Sequence, residues 1–279
     1  MQLRQARGVY GDLDRPPLPA TSLARALARD GYDLRVVQRT ASTNADVAAA
    51  ARDGAPEGLV VVAEAQVAGR GRLDRSWVSP PRAGLTFSVL LRPPAPTGWL
   101  PLLGGLAVAV ALQEHAGLPA GAEVGLKWPN DVLIDTRKVA GLLAEVVHTP
   151  ATAARGDSVA SVASVAVVLG IGLNVHTRAD ELPNDAATSL ALAGARHPDR
   201  PIVLSAILRS LARAYASWQA DPSALVASYR SVCTTIGREV AVHLPQDRVV
   251  RGTAESVDAD GRLVVDGRRF GAGDVVHLR

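Results

Sequence analysis

The sequence predicts an α+β fold, a mixed β-sheet with helices on its face, followed by a small SH3-like β-barrel. Between residues 31 and 233 strand-length apolar runs alternate with helical stretches. After residue 234 the chain changes to short β-rich runs separated by Asp260-Gly261 and Asp266-Gly267, and Asp-Gly pairs between such runs signal hairpins. A length of 279 residues fits one large unit plus a small one, at roughly 150 residues per domain. We therefore read residues 1–30 as an N-terminal extension, 31–233 as the large domain and 234–279 as the small one.

The extension holds Pro16, Pro17 and Pro19, then a helical signal over residues 23–28 opened by Thr21 or Ser22 as N-cap. Leu34, Val36 and Val37 read as a strand. Ser42, Thr43 and Asn44 then cap a helix over residues 45–52 that Gly54 closes. Residues 59–65 and 85–91 are apolar runs of strand length, separated by the glycine-arginine segment 69–75. Residues 100–115 read as a buried helix, because a membrane span needs about 20 apolar residues. Strands follow at 124–128, 132–134 and 139–147, with a turn at 135–137. Residues 159–175 carry no charge, yet their serines, glycines and β-branched side chains favour a strand. Ile202, Ile207, Leu208, Leu211 and Tyr215 recur at amphipathic helical spacing, and a second helix begins at 225–229. The last strands fall at 239–244, 249–257, 263–265 and 275–278.

Composition prunes the functional classes. With 48% hydrophobic and 20% charged residues the chain is not disordered throughout. Cys233 is the single cysteine, so neither an internal disulfide nor a multi-cysteine zinc site is available, which fits a reducing, cytoplasmic setting. Thirty basic residues stand against 27 acidic ones, which is no general nucleic-acid footprint. The first fifteen residues lack the apolar stretch of a signal peptide. The six histidines are scattered, and the phosphate-loop, GxGxxG, HExxH and GxSxG signatures are absent.

Lys127 and Lys138 are the only lysines among the 30 basic residues. A chain so biased toward arginine keeps lysine where a compact ammonium does what a planar guanidinium cannot. Gly69, Arg70, Gly71, Arg72 and Arg75 alternate permissive backbone with guanidinium groups, the chemistry of a polyphosphate grip. A solvated or RNA-binding loop has the same composition, although one copy without interleaved aromatics weighs against RNA. Lys127, Trp128, Pro129, Asn130 and Asp131 combine a phosphate-binding cation, an amide and a carboxylate suited to magnesium. They also suit a β-turn at Pro129, Asn130 and Asp131. Lys138 opens the next strand, with Gly141 allowing close approach. Two ammonium groups beside an arginine-glycine loop suit a substrate that gains negative charge in its transition state.

Four motifs occur in order: Gln66 to Arg72 with Trp77, Ser79 and Pro80; Lys127 to Asp131; Lys138 to Glu145; and Gly170, Ile171, Gly172, Leu173 and Asn174. Together they resemble the biotin protein ligase family, from about Leu34 to the C-terminus. The resemblance implies a mixed-sheet catalytic domain, related to lipoate ligases, ahead of the SH3-like domain. It also implies a two-step reaction in which biotin and Mg-ATP give biotinoyl-5'-AMP and pyrophosphate. The adenylate then acylates a lysine on the biotin carboxyl carrier domain of an acyl-CoA carboxylase.

Carried over by resemblance, Ser42, Thr43, Asn44 and Gln66 hold the ureido head. Gly69, Arg70, Gly71, Arg72, Lys138 and Gly141 complete the biotin site. Arg70, Arg72, Trp77, Lys127, Asn130 and Asn174 bind ATP. Lys138, Lys127 and Arg70 are the catalytic candidates, and Asp131 is an indirect magnesium candidate. The family's common loop pattern has Arg-Gly where this chain has Leu73 and Asp74, and Asp74 is expected to pair with Arg70 or Arg75 in the empty site. The extension is too short for the winged helix of repressor members, so no DNA binding is expected, nor membrane association. The sequence leaves monomer or homodimer open. The alternatives are a lipoate or octanoyl ligase or transferase of the related fold, or a non-catalytic nucleic-acid or effector-binding module.

Overall fold

The structure is a computed structural model that describes residues 15–73, 75–94, 98–148 and 165–278. In chain order the elements are α1 (Ala20–Ala28), β1 (Asp33–Val37), α2 (Thr43–Arg52), β2 (Leu59–Ala63), β3 (Gly84–Leu91), α3 (Trp99–His115), β4 (Val124–Lys127), β5 (Asp131–Ile134), β6 (Arg137–His148), β7 (Val165–Asn174), α4 (Arg200–Ala220), α5 (Pro222–Val232), β8 (Glu239–His243), β9 (Val249–Val257), β10 (Leu263–Val265), β11 (Arg268–Phe270) and β12 (Asp274–His277). Seven strands form one sheet in the order β1-β2-β3-β7-β6-β5-β4. It is mixed because β1 and β2 pair in parallel across α2, whereas the remaining pairs are antiparallel.

Helices cover both faces. On one side α2 packs Val47 and Ala51 against Leu59, Val61, Leu90 and Val168. On the other, α3, α4 and α5 lie over the main core. Strands β2 and β3 are therefore buried along their whole length, which explains why they read as continuous apolar runs rather than alternating ones. Helix α3 has no polar face, since it lies between the sheet and the other helices. Gly104 lets it approach closely, because a Cβ there would come within 2.8 Å of both Leu142 and Leu169.

The second sheet, in the order β11-β10-β9-β8-β12, is the small C-terminal domain. Trp99 Nε1 donates to Ala259 O at 2.7 Å and Trp128 Nε1 to Gly261 O at 3.0 Å. Two buried indoles of the large domain thus satisfy backbone carbonyls at one turn of the small one. Arg230 Nε adds a bond to Val257 O at 2.9 Å.

Several expectations are adjusted. Helix α1 starts at Ala20 behind Pro19 with no side-chain cap, and Ser22 Oγ instead donates to Pro19 O. Residues 15–28 lie against the large domain through Leu18, Leu23 and Leu27, which belong to the main core. The buried pair Glu64–Arg200 at 2.7 Å secures them, with Leu18 N donating to Glu64 and Arg200 to Pro16 O. Strand β7 starts at Val165; the earlier part of the expected strand, residues 159–164, lies outside the described residues. Strand β11 was not expected, because Arg268, Arg269 and Phe270 are too few and too charged to show alternation.

Candidate active site

Glycines open the site on the face of the sheet that carries α2. Gly141 of β6 and Gly172 of β7 are register partners, and the Trp77 indole occupies the space their side chains would fill. A Cβ on Gly172 would meet Trp77 Cε2 at 2.3 Å, and one on Gly141 would meet Trp77 Cζ3 at 3.3 Å. Two residues earlier on the same face, a Cβ on Gly170 would meet Asn44 Oδ1 at 2.1 Å. The spacing Gly170-x-Gly172 therefore seats two side chains, one from α2 and one from the loop after β2.

The Asn44 end is largely buried and polar, and the Glu145 carboxylate beside it is shared between Asn44 and Arg70. Ser42 caps α2 by accepting from Ala45 N, which turns Thr43 and Asn44 toward the sheet. Gln66 Oε1 accepts from Thr43 N at 2.9 Å and from Thr43 Oγ1 at 3.2 Å. Beneath them the fully buried Ser88 Oγ lies 2.6 Å from Asn44 Oδ1 and 2.7 Å from Thr43 Oγ1, its single proton serving one of them at a time. Asn44 Nδ2 donates to Glu145 Oε2 at 2.6 Å and to Leu143 O at 3.3 Å. These contacts set the amide orientation.

The opposite end is cationic and more exposed. Residues 69–73 and 75–77 pair as the two arms of a hairpin: Trp77 N donates to Gly69 O at 2.9 Å and Gly71 N to Arg75 O at 2.6 Å. Gly69 is required here, since a Cβ would come within 2.3 Å of both Gln66 Nε2 and Trp77 O. Arg70 Nη2 reaches Glu145 at 3.0 Å, Arg75 reaches Asp274 at 2.5 Å, and Lys138 Nζ lies 2.5 Å from Asp131. Arg72 meets a neutral partner, Asn130 Oδ1, at 3.3 Å, and Asn130 is itself held by Leu142 O. Burial lowers the Arg72 pKa, with Asp131 and Asp274 opposing that shift. Lys138 Nζ also stands 5.9 Å from the Trp77 ring centroid, within cation–π range.

Ser42, Thr43, Asn44, Gln66, Arg70, Gly71, Arg72, Trp77, Asn130, Asp131, Lys138 and Gly141 all line one cavity. Three expected residues stand outside that lining. Gly69 shapes the hairpin from behind. The Asn174 side chain is buried and donates to Thr188 O at 3.0 Å. Lys127 is half-buried on β4, on the side of the small domain, where its charge acts on His277. Burial, then Lys127 and Arg238, push the His277 imidazole down to about 4. Thr235 Oγ1, which accepts from Trp128 N, lies 3.0 Å from His277 Nε2; its own proton can therefore go to a neutral imidazole. Asp74 lies outside the described residues, and the partners seen for Arg70 and Arg75 are Glu145 and Asp274.

Sequence reasoning assigned no role to Ser88, Glu145 or Asp274. Ser88 had a signal, a hydroxyl that shares a mostly apolar, wholly buried central strand with Thr86. Glu145 closed a motif without a stated task. Asp274 belongs to the other domain, and nothing local in the sequence connects it to the loop.

One cavity thus joins a polar end at Thr43, Asn44 and Gln66 to a mouth that carries Arg70, Arg72 and Lys138, with the Trp77 indole between them. Residues 36–160 match the "Biotin/lipoate A/B protein ligase family" and residues 235–278 the "Biotin protein ligase C terminal domain". A "Biotin--[acetyl-CoA-carboxylase] ligase" of Mycobacterium tuberculosis is 43% identical over 277 residues, covering 95% of this chain and 97% of that protein. The "Bifunctional ligase/repressor BirA" of Escherichia coli is 30% identical over 75% of this chain and 62% of its own length. Among solved structures, "Biotin protein ligase from Aquifex aeolicus in complex with biotin and ATP" superposes with a TM-score of 0.69 at 28% identity, covering 88% of this chain and 98% of that one. This chain belongs to the biotin protein ligase family.

Proposed function

We propose that the protein activates biotin with ATP and transfers the biotinoyl group to a lysine on the biotin carboxyl carrier domain of an acyl-CoA carboxylase, in the cytoplasm. In the first step a biotin carboxylate oxygen attacks the α-phosphorus and pyrophosphate leaves. In the second the acceptor amine attacks the acyl carbonyl and AMP leaves. The observation that carries this reading is the polarity of one cavity. Its buried end offers the neutral donors and acceptors of Thr43, Asn44 and Gln66, suited to an uncharged ureido ring. Its mouth offers Arg70, Arg72 and Lys138, suited to a carboxylate and phosphates.

Lys138 is the residue assigned to holding the biotin carboxylate as it attacks in the first step and to the charge that develops on the acyl carbonyl oxygen in the second. Asp131 fixes its position by the 2.5 Å contact. Arg70 and Arg72 hold the phosphate oxygens, and Asn130 orients Arg72. Trp77, packed on Gly141 and Gly172, offers the acyl-adenylate a flat apolar face. Lys127, set back from the cavity lining, and Asn174, held to Thr188, act on the nucleotide side through field and through positioning respectively. No group of three metal-ligating side chains occurs among the described residues. A magnesium ion carried on the phosphates would need only one or two protein carboxylates, and Asp131 on the cavity wall is the candidate. When bound, the ion neutralises phosphate charge.

The test is incubation of the protein with biotin, Mg-ATP and a purified carrier domain. The proposal expects a mass increase of one biotinoyl group on a single lysine. Transfer of lipoyl or octanoyl groups instead would place the protein's activity with the related ligases.

A further inference from the structure

We infer that Asp274, on the small C-terminal domain, is a positioning residue of the arginine-glycine hairpin, so that the small domain sets the hairpin's place over the active site. The inference deepens the proposed function and rests on it for the consequence at the adenylate, though not for the contact itself.

Three observations carry it. First, Asp274 lines the same cavity as Arg70, Arg72 and Trp77, although it comes from the other domain. Its carboxylate meets Arg75 at 2.5 Å. Second, Arg75 closes the hairpin through its backbone, with Gly71 N donating to Arg75 O at 2.6 Å and Arg75 N to Arg72 O at 3.2 Å. Fixing the Arg75 side chain thus fixes the turn that carries Arg70 and Arg72.

Third, Asp274 stands on a well-anchored support. It opens β12, which is paired with β8 along four residues from Asp274↔His243 to His277↔Val240. It follows Gly273, whose φ of +150° and close approach to Val242, 2.8 Å from a built Cβ, exclude most side chains. The domain is tied to the large one by the bonds from Trp99 and Trp128. The hairpin, in contrast, has Gly69 and Gly71 and presents Leu73 at a φ of +53° with 59% exposure. A rigid carboxylate therefore holds a permissive segment.

The pair is partly exposed, 59% for Arg75 and 39% for Asp274, so its effect is a bias of roughly two- to fivefold rather than an all-or-none lock.

The experiment measures amide exchange of residues 69–77 in the ligand-free protein, then the dissociation rate of the biotinyl adenylate. Wild type is compared with Asp274→Asn, Asp274→Glu, Arg75→Gln and the reversed pair Arg75→Asp with Asp274→Arg. We expect exchange and adenylate release to quicken about two- to fivefold in Asp274→Asn and Arg75→Gln, and to return toward wild type in Asp274→Glu and in the reversed pair, with an unchanged unfolding midpoint. Unchanged loop exchange in Asp274→Asn, or a reversed pair no better than its two single variants, would overturn the inference. If wild type forms no adenylate, the proposed function fails while the exchange data still decide the contact.

Discussion

The indole of Trp77 lies over Gly172, where a Cβ would come within 2.3 Å of Trp77 Cε2 and 2.6 Å of Trp77 Nε1. A Cβ at Gly172 would have to displace a bulky, partly buried ring. We predict that Gly172→Ala pushes Trp77 off the floor and lowers adenylate formation by at least tenfold, the scale of an overpacked site. Paired measurement of tryptophan fluorescence and the adenylation rate checks this; normal values of both would refute it.

Lys138→Ala removes the ammonium and leaves Asp131 without its 2.5 Å partner in the cavity. Loss of one aimed donor costs roughly 100- to 1,000-fold in rate, and that is the expected fall in adenylation. Lys138→Arg should restore little, because a planar fork does not replace a point charge held at 2.5 Å from one oxygen. Single-turnover rates at saturating biotin distinguish this from weaker binding.

Ser88→Ala takes the buried hydroxyl from beneath Asn44 and Thr43. The Asn44 carbonyl then lacks its donor, a loss of about 1–3 kcal/mol. The KM for biotin should rise roughly tenfold while the KM for ATP stays put. An equal rise in both would mean a general loss of structure.

Glu64→Gln leaves Arg200, 3% exposed, without its counter-charge. Breaking a buried pair from one side costs about 3–5 kcal/mol, a drop of roughly 10 °C in the unfolding midpoint for a chain of this size. Calorimetry checks it. The same pair holds Pro16 and Leu18, so proteolysis near the N-terminus should quicken as well.

His277 carries a pH prediction. Its folded-state value of about 4 lies below the ordinary 6.5, so the unfolded chain takes up the proton first. The native state keeps its full stability above about pH 6.5 and loses part of it as the pH falls from there to about 4. His277→Gln should flatten that part of the stability profile, measured by denaturant melts at stepped pH. An unaltered profile would rule out a contribution from His277.

Much of this was legible in the sequence because the signals were local. The buried strands β2 and β3, the helix α3 and the Asp-Gly hairpins each follow from a few neighbouring residues, and the structure has them; α2 starts at Thr43 behind Ser42, two residues before the expected 45. The four motifs also gave most of the cavity lining. What escaped was set by partners far along the chain. Asp274 meets a loop about 200 residues earlier, Glu145 joins Asn44 to Arg70 across three elements, and Asn174 spends its amide on Thr188. Helix α1 began earlier than its hydroxyls suggested because Pro19 stands just before its first turn.

ATP–pyrophosphate exchange, run with biotin, lipoate and octanoate offered separately, tests most directly the claim that the neutral end of the cavity selects the ring and the cationic end drives adenylation. Exchange with biotin alone, abolished in Lys138→Ala, is the predicted result. Exchange driven by lipoate or octanoate, or biotin-driven exchange that survives the loss of Lys138, would contradict it.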